Sequence, residues 1–168
     1  MNRVEMDEAV WEMHVPMLRL AMSILRHPQN AEDAVSQAVV AAYQKIGTLR
    51  NPDAFRPWLM KITARCCYDY LRRRKREILS AEPVSPEIGV FIEPMEDTLY
   101  ASLSRLPDGQ SQVLTLYYYE GFSTEEIARI LGIPRTTVSM RMTRGRAKLK
   151  TMIEEEEREE SRYGSPSI

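Results

Sequence analysis

Hydrophobic residues recur at steps of three and four along most of the chain, which is the spacing of one face of an α-helix. In the first 25 residues this stripe comprises Met6, Val10, Met13, Met17, Leu20 and Ile24. Pro16 interrupts the stripe and predicts a break or a fresh first turn at that point. Asn30 is the predicted N-cap of a second helix, Ala31–Ile46. Asn51 and Pro52 predict the start of a third.

A change in composition then separates two helical parts. Residues 80–97 contain Pro83, Pro86, Gly89 and Pro94, which prevent a continuous helix, and five acidic side chains. The pattern therefore predicts an all-α protein with two small helical domains, residues 1–79 and 98–153, joined by a flexible acidic linker. Residues 154–168 begin with six glutamates around Arg158 and predict an acidic, disordered tail.

The second domain has the signals of a helix-turn-helix. Gly121 is a predicted left-handed residue, and Ser123 with Glu126 forms a predicted capping box at the start of a helix. Residues 132–134, Gly-Ile-Pro, predict the turn that follows. The final helix has an apolar stripe at Val138, Met142, Gly145, Leu149 and Met152. A motif of this kind places its second helix in the major groove of DNA.

Charge strengthens this interpretation, because the net charge of −1 hides strong segregation. Residues 129–150 hold seven bases and no acid. If the apolar stripe packs inward, the outward residues are Arg135, Thr136, Ser139, Met140, Thr143 and Arg144, which suit contacts with base edges. Phosphate contacts are predicted for Thr136 and Thr137 at the helix start, and for Arg141, Arg146 and Lys148 further along. The alternative is a structural hairpin with a solvated basic face.

The first domain contains a second basic segment, residues 61–76, with seven bases and the single acid Asp69. Tyr68 and Tyr70 lie among these bases, and Trp58 lies three residues before the first of them. Aromatic rings beside cations suit single-stranded DNA, because rings stack on exposed bases while cations follow the backbone. The rings could equally be core residues, and the arginines a solvated helix end. Composition leaves both interpretations open.

Other chemistry finds little support. Cys66 and Cys67 are adjacent and poorly placed to bridge each other, which predicts a reduced, cytoplasmic protein. His14 and His27 form no catalytic set or ligand pair with an obvious partner, so no catalytic residue, metal site or cofactor is predicted. No apolar run approaches the length needed to insert in a membrane.

Three stretches carry a family resemblance: Leu18–Ile46, Ala54–Arg76 and Leu103–Lys150. Together they cover nearly the whole chain, which resembles the extracytoplasmic-function class of bacterial sigma factors of the sigma-70 family. The resemblance implies a non-enzymatic protein that gives RNA polymerase its promoter specificity. The first domain would be sigma region 2 and the second sigma region 4. The alternative is an autonomous helix-turn-helix regulator, which would need neither the basic helix of the first domain nor the acidic linker.

The resemblance also implies roles for particular residues. Docking on the clamp helices of the largest polymerase subunit would involve Asp33, Ser36, Gln37 and Val40. Recognition and melting of the −10 element would involve Trp58, Lys61, Arg65, Asp69, Arg72 and Arg73. Recognition of the −35 element would involve Arg135, Thr136, Thr137, Ser139, Met140, Arg141, Thr143, Arg144 and Arg146. Further implied partners are promoter DNA, the flap of the second-largest subunit and an anti-sigma factor.

The chain departs from the family pattern at three places. Ser36 and Gln37 stand where the pattern has Gln-Glu, so the affinity for polymerase would be weaker or differently distributed. Cys66 stands where the pattern has asparagine. Gly145 replaces the usual alanine, which costs up to about 1 kcal/mol of helix propensity.

Overall fold

Helices form the framework of both domains. The computed structural model describes residues 1–80 and 98–164. The first domain contains α1 (Arg3–Glu12), α2 (His14–Leu25), α3 (Pro28–Lys45) and α4 (Phe55–Ser80), with 3-10 turns at Ile46–Thr48 and Pro52–Ala54. The second contains α5 (Thr98–Ser104), α6 (Asp108–Tyr118), α7 (Thr124–Leu131) and α8 (Arg135–Tyr163). These two ranges contain no β-strand, and the predicted all-α class is confirmed.

The helix boundaries follow local sequence signals, with one correction. The predicted break is confirmed, since α1 ends at Glu12 and Pro16 lies in the first turn of α2. The N-cap of α3 is His27 and not Asn30, because Nδ1 of His27 accepts a hydrogen bond from the Asn30 amide at 3.3 Å. The helix therefore begins at Pro28, where a missing N–H costs nothing.

The core of the first domain lies between α2, α3 and α4, which pack on one another. Met17, Leu20 and Leu59 are fully buried there. The α3 side of this core is built from small side chains, namely Ala31, Ala34, Ala38 and Ala42. Small side chains let the neighbouring helices approach α3 closely, so its polar residues are left on the opposite, outer face.

The second domain has the predicted helix-turn-helix. Ser123 and Glu126 form the capping box at the start of α7. Gly121 and Gly132 have φ of 70° and 67°, the left-handed conformation that glycine adopts without strain. The Gly132 turn then sends the chain from α7 into α8, which also packs on α6.

The last helix is longer than the sequence predicts. A disordered tail was expected from Glu154, but α8 continues to Tyr163, so this prediction is wrong for residues 154–163. Glutamate has good helix propensity, and Glu156 also forms an ion pair with Arg105 of the neighbouring segment. These residues are nevertheless largely exposed to solvent. Residues 165–168 lie outside the described residues.

The two domains pack against each other, with α2 on α6 and α4 on α7. The hydroxyl of Tyr68 donates to Oε1 of Gln112 across this interface at 2.9 Å. Arg26 ends α2 in the left-handed conformation, with φ of 55°, and its guanidinium donates to the carbonyls of Ser104 and Leu106 at 2.5 and 2.6 Å. The linker was predicted as residues 80–97, but α4 continues to Ser80. Residues 81–97 lie outside the described residues.

Candidate nucleic-acid interface

The first turns of α8 present a polar and basic face opposite the stripe that packs on α6 and α7. Val138, Met142 and Leu149 are at most 8% exposed, and Gly145 is also buried. Most of the predicted −35 residues are exposed: Arg135, Thr136, Ser139, Met140, Thr143, Arg144 and Arg146. Thr137 and Arg141 are half-buried. The inward stripe therefore has the predicted register, and the outward face has the predicted composition.

The start of α8 is open to an anion. Its N-cap is Pro134, whose side chain makes no capping hydrogen bond. The amides of the first turn, including those of Thr136 and Thr137, thus lie at the positive end of the helix dipole without a side-chain cap. The preceding turn is held by the Ile133 amide, which donates to the Ala128 carbonyl at 3.1 Å. A phosphate would suit this helix start.

The arginines of this face differ in what they contact. Arg135 pairs with Glu125 of α7 at 3.1 Å. Arg144 is exposed and has no ion pair within the two described ranges. Its five donors can therefore turn toward a guanine edge without first breaking a protein contact.

Arg141 and Arg146 lie against opposite ends of α6. A Cβ on Gly109, in the first turn of α6, would lie 2.9 Å from Nε of Arg141. At the other end, Nε of Arg146 donates to the hydroxyl of Tyr118 at 3.0 Å. Burial raises the pKa of Tyr68 in the first domain, and the positive charge of Arg141 partly opposes this rise. Arg141 is therefore half-buried beside α6, one helical turn from Thr137 and Arg144, whereas Arg146 is exposed.

A second exposed stripe runs along α4. The predicted −10 residues Trp58, Lys61, Arg65, Asp69 and Arg72 follow one another at steps of three and four, which places them on one helix face. All but Trp58 are exposed, and Asp69 pairs with Arg72. Arg73 flanks the stripe. The structure thus brings these predicted residues together on one surface.

The aromatic residues of α4 have separate roles. Trp58 is half-buried, lies 5.7 Å from the Phe55 ring, and donates from Nε1 to Oγ1 of Thr48 at 3.3 Å. Tyr68, another candidate for base stacking, has its hydroxyl bound to Gln112 in the domain interface. Of Trp58 and Tyr68, only Trp58 therefore lies on the same helix face as the exposed basic residues.

The predicted polymerase-docking residues lie on the outer face of α3. Asp33, Ser36, Gln37 and Val40 are all exposed, and the side chain of Val40 is 57% exposed although it is apolar. Gln37 accepts a hydrogen bond from Nη2 of Arg73 at 3.2 Å. The docking face and the basic stripe of α4 are thus direct neighbours.

The cysteines have the properties of packing residues. Burial raises the pKa of Cys67 to about 12, and burial also raises the pKa of Cys66. Thiols with raised pKa values are poor nucleophiles at neutral pH. Across residues 1–80 and 98–164, no group of His, Cys, Asp and Glu side chains could hold a metal ion. In the same ranges, no helix is long and apolar enough to cross a bilayer.

Sequence reasoning missed the interface residues Arg19, Arg56 and Glu120. Nη2 of Arg56 donates to the Glu120 carbonyl at 3.1 Å, and Arg19 forms an ion pair with the Glu120 carboxylate. The sequence does show that Glu120 lies between an apolar run and the predicted left-handed residue Gly121. That position predicts a turn, but it does not predict that Arg19 is the partner of Glu120.

Comparisons with known proteins match both helical domains to described families. Residues 10–77 match the family described as Sigma-70 region 2, and residues 96–149 match Sigma-70, region 4. The chain is 30% identical over 161 residues to the ECF RNA polymerase sigma factor SigM of Mycobacterium tuberculosis, covering 90% of this chain and 79% of SigM.

Two further proteins are similar. The chain is 29% identical over 146 residues to the probable RNA polymerase sigma factor RfaY of Xanthomonas campestris, covering 80% of this chain but 36% of RfaY. It therefore spans about a third of that relative. Among solved structures, the sigma factor RpoE in complex with the anti-sigma factor NepR, from Bartonella quintana, has a TM-score of 0.72. Its sequence identity is 22%, and the match covers 89% of this chain and 97% of that chain.

Proposed function

Because this chain belongs to the extracytoplasmic-function class of the sigma-70 family of RNA polymerase sigma factors, we propose that it binds core polymerase and directs initiation at promoters with matching −10 and −35 elements. The observation that carries the proposal is the pair of exposed basic surfaces, one on α4 and one on α8, in a chain with an exposed docking face on α3. Its role is recognition, and it has no catalytic step of its own.

Each of the two basic surfaces suits a different promoter element. The α4 stripe, with Trp58 at one end and Arg72 at the other, suits the opened −10 region, because cations follow the backbone while a ring can stack on an unpaired base. The N-terminal half of α8 suits the duplex −35 element, because a helix of this kind fits the major groove. Exposed residues of α3, above all Val40, supply the contact with the clamp helices, and the second domain contacts the polymerase flap.

The packed domains must separate for both elements to be read together. Elements centred at −10 and −35 are about 25 base pairs apart, or roughly 85 Å at 3.4 Å per base pair. A compact chain of this length has a radius of gyration of about 15 Å. The closed arrangement is therefore a resting form, and binding to core polymerase would hold the domains apart. An anti-sigma partner would act by preventing that binding. The protein would work in the cytoplasm, where polymerase and promoter DNA are.

Reconstitution with core RNA polymerase tests this function. We expect the chain to co-elute with core in gel filtration and to support run-off transcription from a subset of promoter fragments. Val40→Asp should weaken the complex, because it places a charge on an apolar docking residue. Val4→Asp is the matched control, since Val4 is also exposed, at 66%, but lies on α1. Tight, specific duplex binding by the chain alone, without association with core, would instead indicate an autonomous regulator.

A further inference from the structure

The guanidinium of Arg146 lies against two tyrosines at the end of α6. It lies 5.4 Å from the centre of the Tyr117 ring and 5.7 Å from that of Tyr118. Its Nε also donates to the Tyr118 hydroxyl at 3.0 Å. The two rings meet edge to face, with centres 5.1 Å apart at an interplanar angle of 88°. Arg146 is therefore held by cation–π contacts with two rings and by one hydrogen bond from Nε.

This contact leaves the binding end of the side chain available. A guanidinium has five N–H donors in a planar fork, and the Tyr118 bond uses only the one on Nε. The two terminal amino groups, Nη1 and Nη2, are the pair that binds a phosphate in bidentate fashion. Tyr117 and Tyr118 are 37% and 48% exposed, so this arrangement lies at the protein surface and a phosphate can reach it.

The position of Arg146 on α8 suits a phosphate of the −35 element. Counted at 100° per residue, Arg146 lies on the same flank as Ser139, Thr143 and Lys150, between the buried stripe and the outward reading face. A residue on such a flank meets the sugar–phosphate backbone that borders the major groove, whereas the centre of the face meets base edges. Arg146 is thus placed to fix the register of α8 on the duplex.

We propose that Tyr117 and Tyr118 are positioning residues that hold Arg146 as a preoriented phosphate clamp at the edge of the −35 major groove. This inference rests on the proposed function of α8. Preorientation raises affinity because the long, flexible side chain is already ordered when the protein folds. Binding then costs less conformational entropy. The clamp is indifferent to base sequence, so it strengthens every promoter contact and leaves specificity to residues such as Arg144.

A purely structural role would look different. The same contacts could simply tie α8 to the end of α6, in which case their removal would lower stability without altering phosphate neutralisation. The number of phosphates neutralised appears in the salt dependence of binding, with a slope of about −0.9 for each contact. The salt slope therefore separates the two roles at Arg146, because a structural tie does not change the number of counterions released. For Tyr118 the decisive quantity is the affinity of a variant that melts like wild type.

The test measures binding of the reconstituted holoenzyme to a promoter fragment over a range of salt concentrations. Arg146→Ala should reduce the slope of log affinity against log salt by about one. Tyr118→Phe should keep the wild-type slope but lower affinity about threefold to tenfold on all sequences, because the ring and the charge remain while the orienting hydrogen bond is lost. Tyr117→Phe is the matched control, since its contact is made by the ring, and it should bind like wild type.

Two results would overturn the proposal. One is an unchanged salt slope for Arg146→Ala, and the other is a Tyr118→Phe affinity equal to that of Tyr117→Phe. Thermal melts followed by circular dichroism identify any variant that fails to fold. If Arg146→Ala does not fold, Arg146→Lys replaces it in the test. Lysine keeps the positive charge, so the salt slope should be retained, but it lacks the planar guanidinium, so the affinity should fall. Failure of the wild-type holoenzyme to initiate would instead count against the sigma function itself.

Discussion

Arg19 of the first domain and Glu120 of the second form an ion pair across the domain interface, with Nε and Oε1 2.5 Å apart. The Glu120 side chain is only 2% exposed. The same guanidinium lies 5.4 Å from the centre of the Tyr119 ring, and Arg56 donates to the backbone carbonyl of Glu120. The short connection between α6 and α7 is thereby anchored by α2 and by α4 together.

Replacing Arg19 with alanine should open the closed form. The substitution leaves a buried carboxylate without its partner, which typically costs about 3–5 kcal/mol. Separation of the domains relieves this cost by hydrating Glu120. Small-angle scattering should therefore show a radius of gyration well above the value of about 15 Å for a compact chain. Adding Glu120→Gln to Arg19→Ala should restore part of the closed population.

The control for this prediction is Arg72→Ala, which removes an ion pair with Asp69. Both residues lie on α4, and both side chains are exposed. Pairs of that kind contribute about 0–1 kcal/mol, so the radius of gyration should not change. An Arg19→Ala protein as compact as the wild type would contradict the role assigned to the pair.

Gly145→Ala should destabilise the second domain despite the better helix propensity of alanine. A Cβ at Gly145 would lie 2.8 Å from Cδ1 of Leu114 and 3.3 Å from Cβ of Gln110. Overpacking costs about 1–3 kcal/mol, against a propensity gain of up to about 1 kcal/mol. Urea denaturation should show the net loss, and Leu114→Val in the same chain should recover part of it. Gly47→Ala, with nothing within 4 Å, should be neutral or slightly stabilising.

Arg144→Ala should weaken one promoter position selectively. A bidentate contact between arginine and guanine is worth about 1–3 kcal/mol of discrimination, or roughly 5- to 150-fold in relative affinity. The measurement is competition among promoter fragments that differ at single −35 positions, bound by holoenzyme. Lys148→Ala, exposed on the same helix, should lower the affinity for all fragments alike. An equal loss across all fragments for Arg144→Ala would show that Arg144 contacts phosphate and not a base.

The two cysteines should differ in reactivity. Burial raises the pKa of Cys67 from 9.0 to about 12, and that of Cys66 rises by burial and by the charge of Asp69. Both thiols are protonated at neutral pH, so alkylation by iodoacetamide should be slow, and slowest at the fully buried Cys67. Mass spectrometry of timed samples would measure both rates, with Cys66→Ser isolating Cys67. Rapid labelling of Cys67 in the folded protein at pH 7 would contradict the burial argument.

The same raised pKa values predict a loss of stability at high pH. A folded-state pKa above the unfolded value means that the folded protein holds the proton more tightly. This contribution to stability is fully present below about pH 9 and is lost as the pH rises toward 12. Denaturation midpoints measured between pH 8 and pH 11 should fall, and Cys67→Ala should show a smaller fall.

Local signals predicted most of the helices and turns correctly, because a cap, a proline or a left-handed glycine acts on residues three or four positions away. The capping box of Ser123 and Glu126 is an example. The errors came from competition between such signals. At the start of α3, Asn30 is a good cap by residue type, but Pro28 allows the helix to begin earlier with His27 as its cap. After Glu154, charge suggested disorder, while helix propensity extended α8 to Tyr163.

The sequence by itself determined the all-α class, the helix-turn-helix and the outward composition of α8, since each follows from periodicity and from contacts within a few residues. Only the tertiary structure decided which charged residues pair across the domains and which arginines of α8 are held by α6. Arg19 and Glu120 are 101 residues apart, and Tyr118 and Arg146 are 28 apart. Helical periodicity identifies the face on which such a side chain lies, but its partner depends on how the helices pack.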